Sequence, residues 1–125
     1  MSGYILVVDD SVTIRSSLEY VLKDAGYNVA LAIDGLDGIK KLKGLASSGE
    51  RVHLIITDVN MPNMDGITFT RNVKNSSFRA TPVLILTTES QQARKQQGKE
   101  AGAAGWLIKP FQQEQLLTVI GKLTN

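Results

Sequence analysis

The 125-residue chain carries a formal charge of +2, with 42% hydrophobic and 21% charged residues, a balance expected of one soluble domain over 1–125 rather than two. No apolar run nears the roughly 20 residues that cross a bilayer, and Met1-Ser2-Gly3 leads straight into a strand-like run without signal-peptide regions. Lys and Arg are scattered rather than striped with aromatic residues, so the expectation is a cytoplasmic monomer that binds neither nucleic acid nor membrane.

Tyr4-Ile5-Leu6-Val7-Val8 is a continuous apolar run of strand length that stops at Asp9 and Asp10. Ser11 is a good N-cap, and Ile14, Leu18, Val21, Leu22 and Ala25 recur at helical spacing until Gly26. Asn28-Val29-Ala30-Leu31-Ala32 reads as a second strand, and Asp34-Gly35 turns the chain into a helix whose apolar face holds Leu36, Ile39, Leu42 and Leu45 or Ala46. Val52-His53-Leu54-Ile55-Ile56 is the third strand, with His53, the sole histidine, expected at the surface or an edge. After the Met61 to Met64 turn, Asp65 can cap a helix facing inward through Ile67, Phe69 or Thr70, Val73 and Phe78. Pro82-Val83-Leu84-Ile85-Leu86 is the fourth strand. It runs into Thr87-Thr88-Glu89-Ser90 and a glutamine-rich helix from about Ser90 to Ala101, where only Ala93, Gly98 and Ala101 offer small apolar contacts. Gly105-Trp106-Leu107-Ile108 and then Lys109-Pro110 precede a last helix with Leu116, Leu117, Ile120 and Leu123 inward.

Strict β/α alternation, with strands apolar throughout, indicates an α/β fold: a doubly wound five-stranded parallel sheet covered by helices on both faces. Strand order 2-1-3-4-5 is one of the few that right-handed crossovers allow. Ligands of such sheets bind beyond the carboxyl ends of the strands, which here carry Asp9 and Asp10, Asp58, Thr87 and Lys109. Three converging carboxylates repel one another unless a hard divalent cation joins them, and Mg²⁺ is the expected ion. A metal, the Lys109 ammonium and the Thr87 hydroxyl together suit phosphoryl transfer, with Asp58 as nucleophile toward phosphorus.

Val8-Asp9-Asp10, Thr57-Asp58-Val59-Asn60-Met61-Pro62 with Asp65-Gly66, Leu86-Thr87-Thr88 and Lys109-Pro110-Phe111 match, in order and spacing, the motifs of response regulator receiver domains. The chain most resembles the stand-alone, CheY-type chemotaxis members, which share the flavodoxin-like (βα)5 fold. The resemblance implies that Asp58 is phosphorylated by a sensor histidine kinase, that Asp10, Asp58 and the Asn60 carbonyl bind Mg²⁺, and that Asp9 acts through water. It implies too that Lys109 contacts the phosphoryl group, that Thr87 moves in to hydrogen-bond it, and that the Lys109-Pro110 bond is cis. Trp106 stands where the family has its switch Tyr or Phe, and Asn60 and Glu89 occupy positions that tune dephosphorylation. The expected output surface is the fourth helix, fifth strand and fifth helix. Its partner would be a protein such as a flagellar switch component, with a phosphatase as a further partner. The ending just after the last helix leaves a protein contact or a phosphate-sink role as the output. Two other readings stay open: a docking module without phosphorylation, and a Mg²⁺-dependent phosphatase. Against the latter, haloacid-dehalogenase-like enzymes place an aspartate where Asn60 stands.

Overall fold

Every β/α repeat expected from the sequence is present in the computed structural model, which describes residues 3–124; Met1, Ser2 and the expectation for the N-terminal start lie outside them, as does Asn125. The order is β1 Tyr4–Val8, α1 Val12–Asp24, β2 Asn28–Ala32, α2 Gly35–Ser47, β3 Val52–Thr57, α3 Gly66–Lys74, β4 Val83–Thr87, α4 Gln92–Ala101, β5 Gly105–Ile108 and α5 Gln113–Thr124. The five strands form one parallel sheet in the order β2-β1-β3-β4-β5.

Because side chains alternate across a strand, the unbroken apolar runs divide cleanly between the two faces. Ile5, Val7, Leu54, Ile56, Leu84 and Leu86 pack under α1 and α5 through Leu18, Leu22, Leu116 and Ile120. On the opposite face Leu6, Val8, Ile55 and Val83 meet Leu42 of α2 and Phe69 and Val73 of α3. A third, smaller cluster joins Val59, Ile67 and Ile85 to Ala101 of α4, with Trp106 packed against it. Burying an aliphatic or aromatic side chain fully contributes about 1.5–3 kcal/mol, so the first two clusters hold the sheet and α4 is the least anchored helix.

Several helix faces differ from the periodicity reading. Leu36, assigned inward, is 53% exposed, whereas Gly35 and Gly38 are buried. The absence of side chains there lets α2 sit close to α3 and the loop before it, since a Cβ on Gly38 would stand 2.9 Å from the Phe69 ring and one on Gly35 2.8 Å from Met64. Ala25 and Ala46 are exposed at the C-terminal ends of their helices, Ala25 as the C-cap of α1 and Ala46 in the last turn of α2. Ala93, expected to make an apolar contact, is exposed as well, leaving Gly98 and Ala101 as the buried residues of α4. Both Phe69 and Thr70 are buried, the Thr70 hydroxyl donating back to the Gly66 carbonyl at 2.7 Å. Pro82 lies outside β4, whose strand instead extends to Thr87, while β3 extends to Thr57.

His53 also differs from expectation. It is half-buried, and its Nε2 is enclosed with no hydrogen-bond partner among the described residues. Gly3 makes room for the imidazole, because a Cβ at that position would collide with the ring. It packs the amino-terminal end of the sheet, opposite to the strand ends that carry the site.

Candidate phosphoryl-transfer site

Three of the site residues are held by a ladder bond continued one residue past a strand. The Asp9 amide donates to the Ala32 carbonyl at 3.1 Å, the Asp58 amide to the Val8 carbonyl at 3.0 Å, and the Lys109 amide to the Thr87 carbonyl at 2.8 Å. Asp9, Asp58 and Lys109 are therefore as fixed as strand residues although they sit in loops. The Lys109–Pro110 peptide is cis.

The side chains converge. Lys109 Nζ donates to Asp9 Oδ2 at 2.7 Å and to Asp58 Oδ2 at 3.0 Å, linking residues 100 and 51 positions away in the chain. Asp9 Oδ1 accepts from the Ser11 amide at 2.9 Å, and Asp58 Oδ1 accepts from the Val59 amide. Both carboxylates are thus oriented by one main-chain donor and one ammonium. Asp10 differs, being exposed where Asp9 is buried, yet one oxygen from each of Asp9, Asp10 and Asp58 lies within 4.8 Å of the others. Burial by itself would depress the Lys109 pKa, but the hydrogen bonds to Asp9 and then Asp58, with their charges, outweigh it and raise the pKa above the ordinary lysine value.

Three oxygen donors of like charge from two adjacent strand ends are a donor set that suits a hard divalent cation. A single ammonium offsets only part of their charge, and it bonds to Asp9 and Asp58 rather than Asp10. The acidic set therefore fits Mg²⁺. Gly66 is required beside it, because its N–H donates to the Val59 carbonyl at 2.8 Å and a Cβ there would run into the Asp58 carbonyl.

Thr87, Glu89 and Trp106 form a chain beside the cluster. Thr87 is fully buried, and its Oγ1 accepts from the Glu89 amide at 3.2 Å. The Trp106 Nε1 donates to the Glu89 carbonyl at 3.1 Å. The indole lies over Gly98, where a Cβ would stand 2.7 Å from its Cζ3. The Glu89 carboxylate is turned to Arg94 Nε at 3.9 Å and to the Gln91 amide. Asn60 is exposed.

Three interactions here go beyond what the sequence suggests. Arg15 donates through a terminal nitrogen to the Asp9 carbonyl at 2.6 Å, and the Thr57 hydroxyl donates to the Asp58 carbonyl at 2.9 Å. Asn63 donates to Asp34 at 2.7 Å. The place of Arg15, one turn into the helix after Asp9-Asp10, is a signal that could have found it; the Asp34–Asn63 pair, 29 residues apart, leaves no mark in local spacing.

With this geometry in view, residues 5–121 match the response regulator receiver domain family, and the chain belongs to it. It is a receiver domain of the CheY type. Among its relatives, Protein PilG of Pseudomonas aeruginosa is 37% identical over 117 residues, covering 93% of this chain and 83% of that protein. The sensor histidine kinase CheAY of Helicobacter pylori is 34% identical over 122 residues, which are 95% of this chain but 15% of that protein. The chain spans about half the length of some other relatives it matches. The structure of the chemotaxis protein CheY4 of Vibrio cholerae superposes with a TM-score of 0.86 at 42% identity, covering 98% of this chain and 99% of that one. Among the described residues no helix is long and apolar enough to cross a membrane.

Proposed function

We propose that this receiver is a phosphorylation switch in which Asp58 takes a phosphoryl group from a histidine kinase, with Mg²⁺ held by Asp10, Asp58 and the Asn60 carbonyl and reached by Asp9 through water. The observation that carries the reading is the Lys109 ammonium bridging Asp9 and Asp58 beside Asp10. An Asp58 oxygen attacks phosphorus, the bond from phosphorus to the donor's leaving atom breaks, and the leaving group departs with its electron pair. Lys109 transfers its hydrogen bonds from the carboxylates to the phosphoryl oxygens, offsetting the charge that spreads over them. Bound Mg²⁺ supplies further positive charge at those oxygens. Thr87, whose oxygen already accepts from Glu89, keeps its hydroxyl hydrogen free to donate to the phosphoryl group. Asn60 and Glu89 govern the approach of the water that ends the signal.

The readout runs from Thr87 through Glu89 to Trp106 and α4, so that α4, β5 and α5 form the partner surface. Similarity to CheY4, a chemotaxis protein, and to CheAY, a sensor histidine kinase, favours a chemotaxis-like pathway in the cytoplasm, with a kinase as donor, a flagellar switch-like protein as target and a single protomer as the working unit. Incubation with Mg²⁺ and acetyl phosphate tests the chemistry by intact mass. A labile gain of one phosphoryl group is expected for wild type, absent in Asp58→Asn and without Mg²⁺, with Trp106 emission changing in step. An equal gain in Asp58→Asn would overturn it.

A further inference from the structure

Asp34 and Asn63 take no part in the chemistry above, yet they tie together two loops at the site-bearing edge of the sheet. Asn63 Nδ2 donates to Asp34 Oδ2 at 2.7 Å. Asp34 is only 5% exposed and caps α2, its Oδ1 accepting from the Asp37 amide at 2.8 Å. Donors hold its carboxyl below the usual range, the Asp37 amide foremost, then Asn63, against the opposing effect of burial. At the other end, Asn63 is the one non-glycine among the described residues with positive φ, at 68°. That conformation costs free energy for any L-residue and least for asparagine, so it requires something to hold it. The loop is also closed on itself, Met64 donating to the Pro62 carbonyl at 2.7 Å, and it meets α2 where Met64 packs against Gly35.

Strand order gives the tie its meaning. β2 and β3 flank β1, so a bond from the loop after β2 to the loop after β3 passes the end of β1, where Asp9 and Asp10 stand. Asn60 lies three residues before Asn63 in the tied loop. We infer that Asn63 is a positioning residue whose hydrogen bond to Asp34 fixes the loop bearing the Asn60 carbonyl beside Asp9, Asp10 and Asp58, and so sets the affinity of the site for divalent cations. This rests on the Mg²⁺ reading above. A purely structural tie would alter stability and leave cation affinity alone.

The test is Mg²⁺ titration, followed by amide NMR shifts, of the full chain and four variants. Asn63→Gly keeps the left-handed turn but loses the amide, and its Mg²⁺ affinity is expected to fall about 3–10-fold, the scale of losing one hydrogen bond of typical net strength. Asn63→Asp sets two carboxylates against each other and Asp34→Asn replaces the charge-assisted bond with a neutral amide–amide one, and both are expected to bind more weakly than wild type. In Asp34→Asn/Asn63→Asp the donor and acceptor are exchanged, and the amide oxygen introduced at position 34 can still cap α2. Affinity in that double variant is expected to return to within about 2-fold of wild type. Wild-type affinity in a folded Asn63→Gly overturns the inference, whatever its stability. Should that variant fail to fold, the exchange decides: recovery over Asn63→Asp supports positioning, and equal weakness overturns it. Absence of Mg²⁺ binding in wild type would instead overturn the underlying reading and the tie's role with it.

Discussion

At the scale of single residues, Lys109 and Asp10 have opposite effects on the metal-free protein. The Lys109 pKa is raised above its ordinary value of 10.5 by folding, so the stability it contributes is fully present below that value and is lost as pH rises through the higher folded pKa. Urea unfolding carried up through and beyond the ordinary lysine range is expected to show wild type losing stability across that window. Lys109→Gln, less stable at neutral pH because Asp9 and Asp58 lose their shared partner, should lack that component of the decline. Asp10 adds negative charge to the cluster without an ion pair in return among the described residues. Asp10→Asn should raise the melting temperature of the metal-free protein by roughly 2 °C, the scale of an exposed charge interaction, while abolishing the response to Mg²⁺. A lower melting temperature would show that Asp10 is not repelled.

At the scale of elements, α4 combines the weakest packing with a link to the site through Trp106, Glu89 and Thr87. Only Gly98 and Ala101 are buried on it, and Gln91 makes no side-chain cap bond. Its amides are expected to exchange faster than those of α1 and α5, and phosphorylation should change their protection more than that of any other helix. Gly98→Ala gains up to about 1 kcal/mol in helix propensity, but its new methyl must displace the Trp106 ring lying over it. Shifted Trp106 emission is the expected sign, together with a net stability change of under about 1 kcal/mol; unchanged emission would mean that indole and helix are not coupled. Much of this level is legible in the sequence, because unbroken β-branched runs followed by amphipathic spacing are local signals. The misassigned face of α2 has a physical cause. Periodicity assigns an apolar residue to a buried face without knowing how close the helix lies, so it turns Leu36 inward and passes over Gly35 and Gly38, which carry the actual close approach.

At the scale of the whole molecule, five parallel strands bring residues 9, 10, 58, 87 and 109 to one edge, and the C-terminal-edge rule for doubly wound sheets makes that convergence readable from the sequence. What strand order does not supply is the state of each group: that Lys109 binds Asp9 and Asp58, that the Thr87 oxygen accepts from Glu89, or that Asn63 reaches Asp34. Those are side-chain choices among partners mostly distant in sequence, settled by packing. The same edge supports a switch because its rigid part, the ladder-extended acids, adjoins a loosely held part in α4. The most direct measurement locates the phosphoryl group itself. After treatment with acetyl phosphate and Mg²⁺, borohydride reduces an aspartyl phosphate to homoserine, which tandem mass spectrometry can place. Homoserine at position 58 alone is the expected result; homoserine at 9 or 10, or none while a control receiver is labelled, would contradict Asp58 as the acceptor.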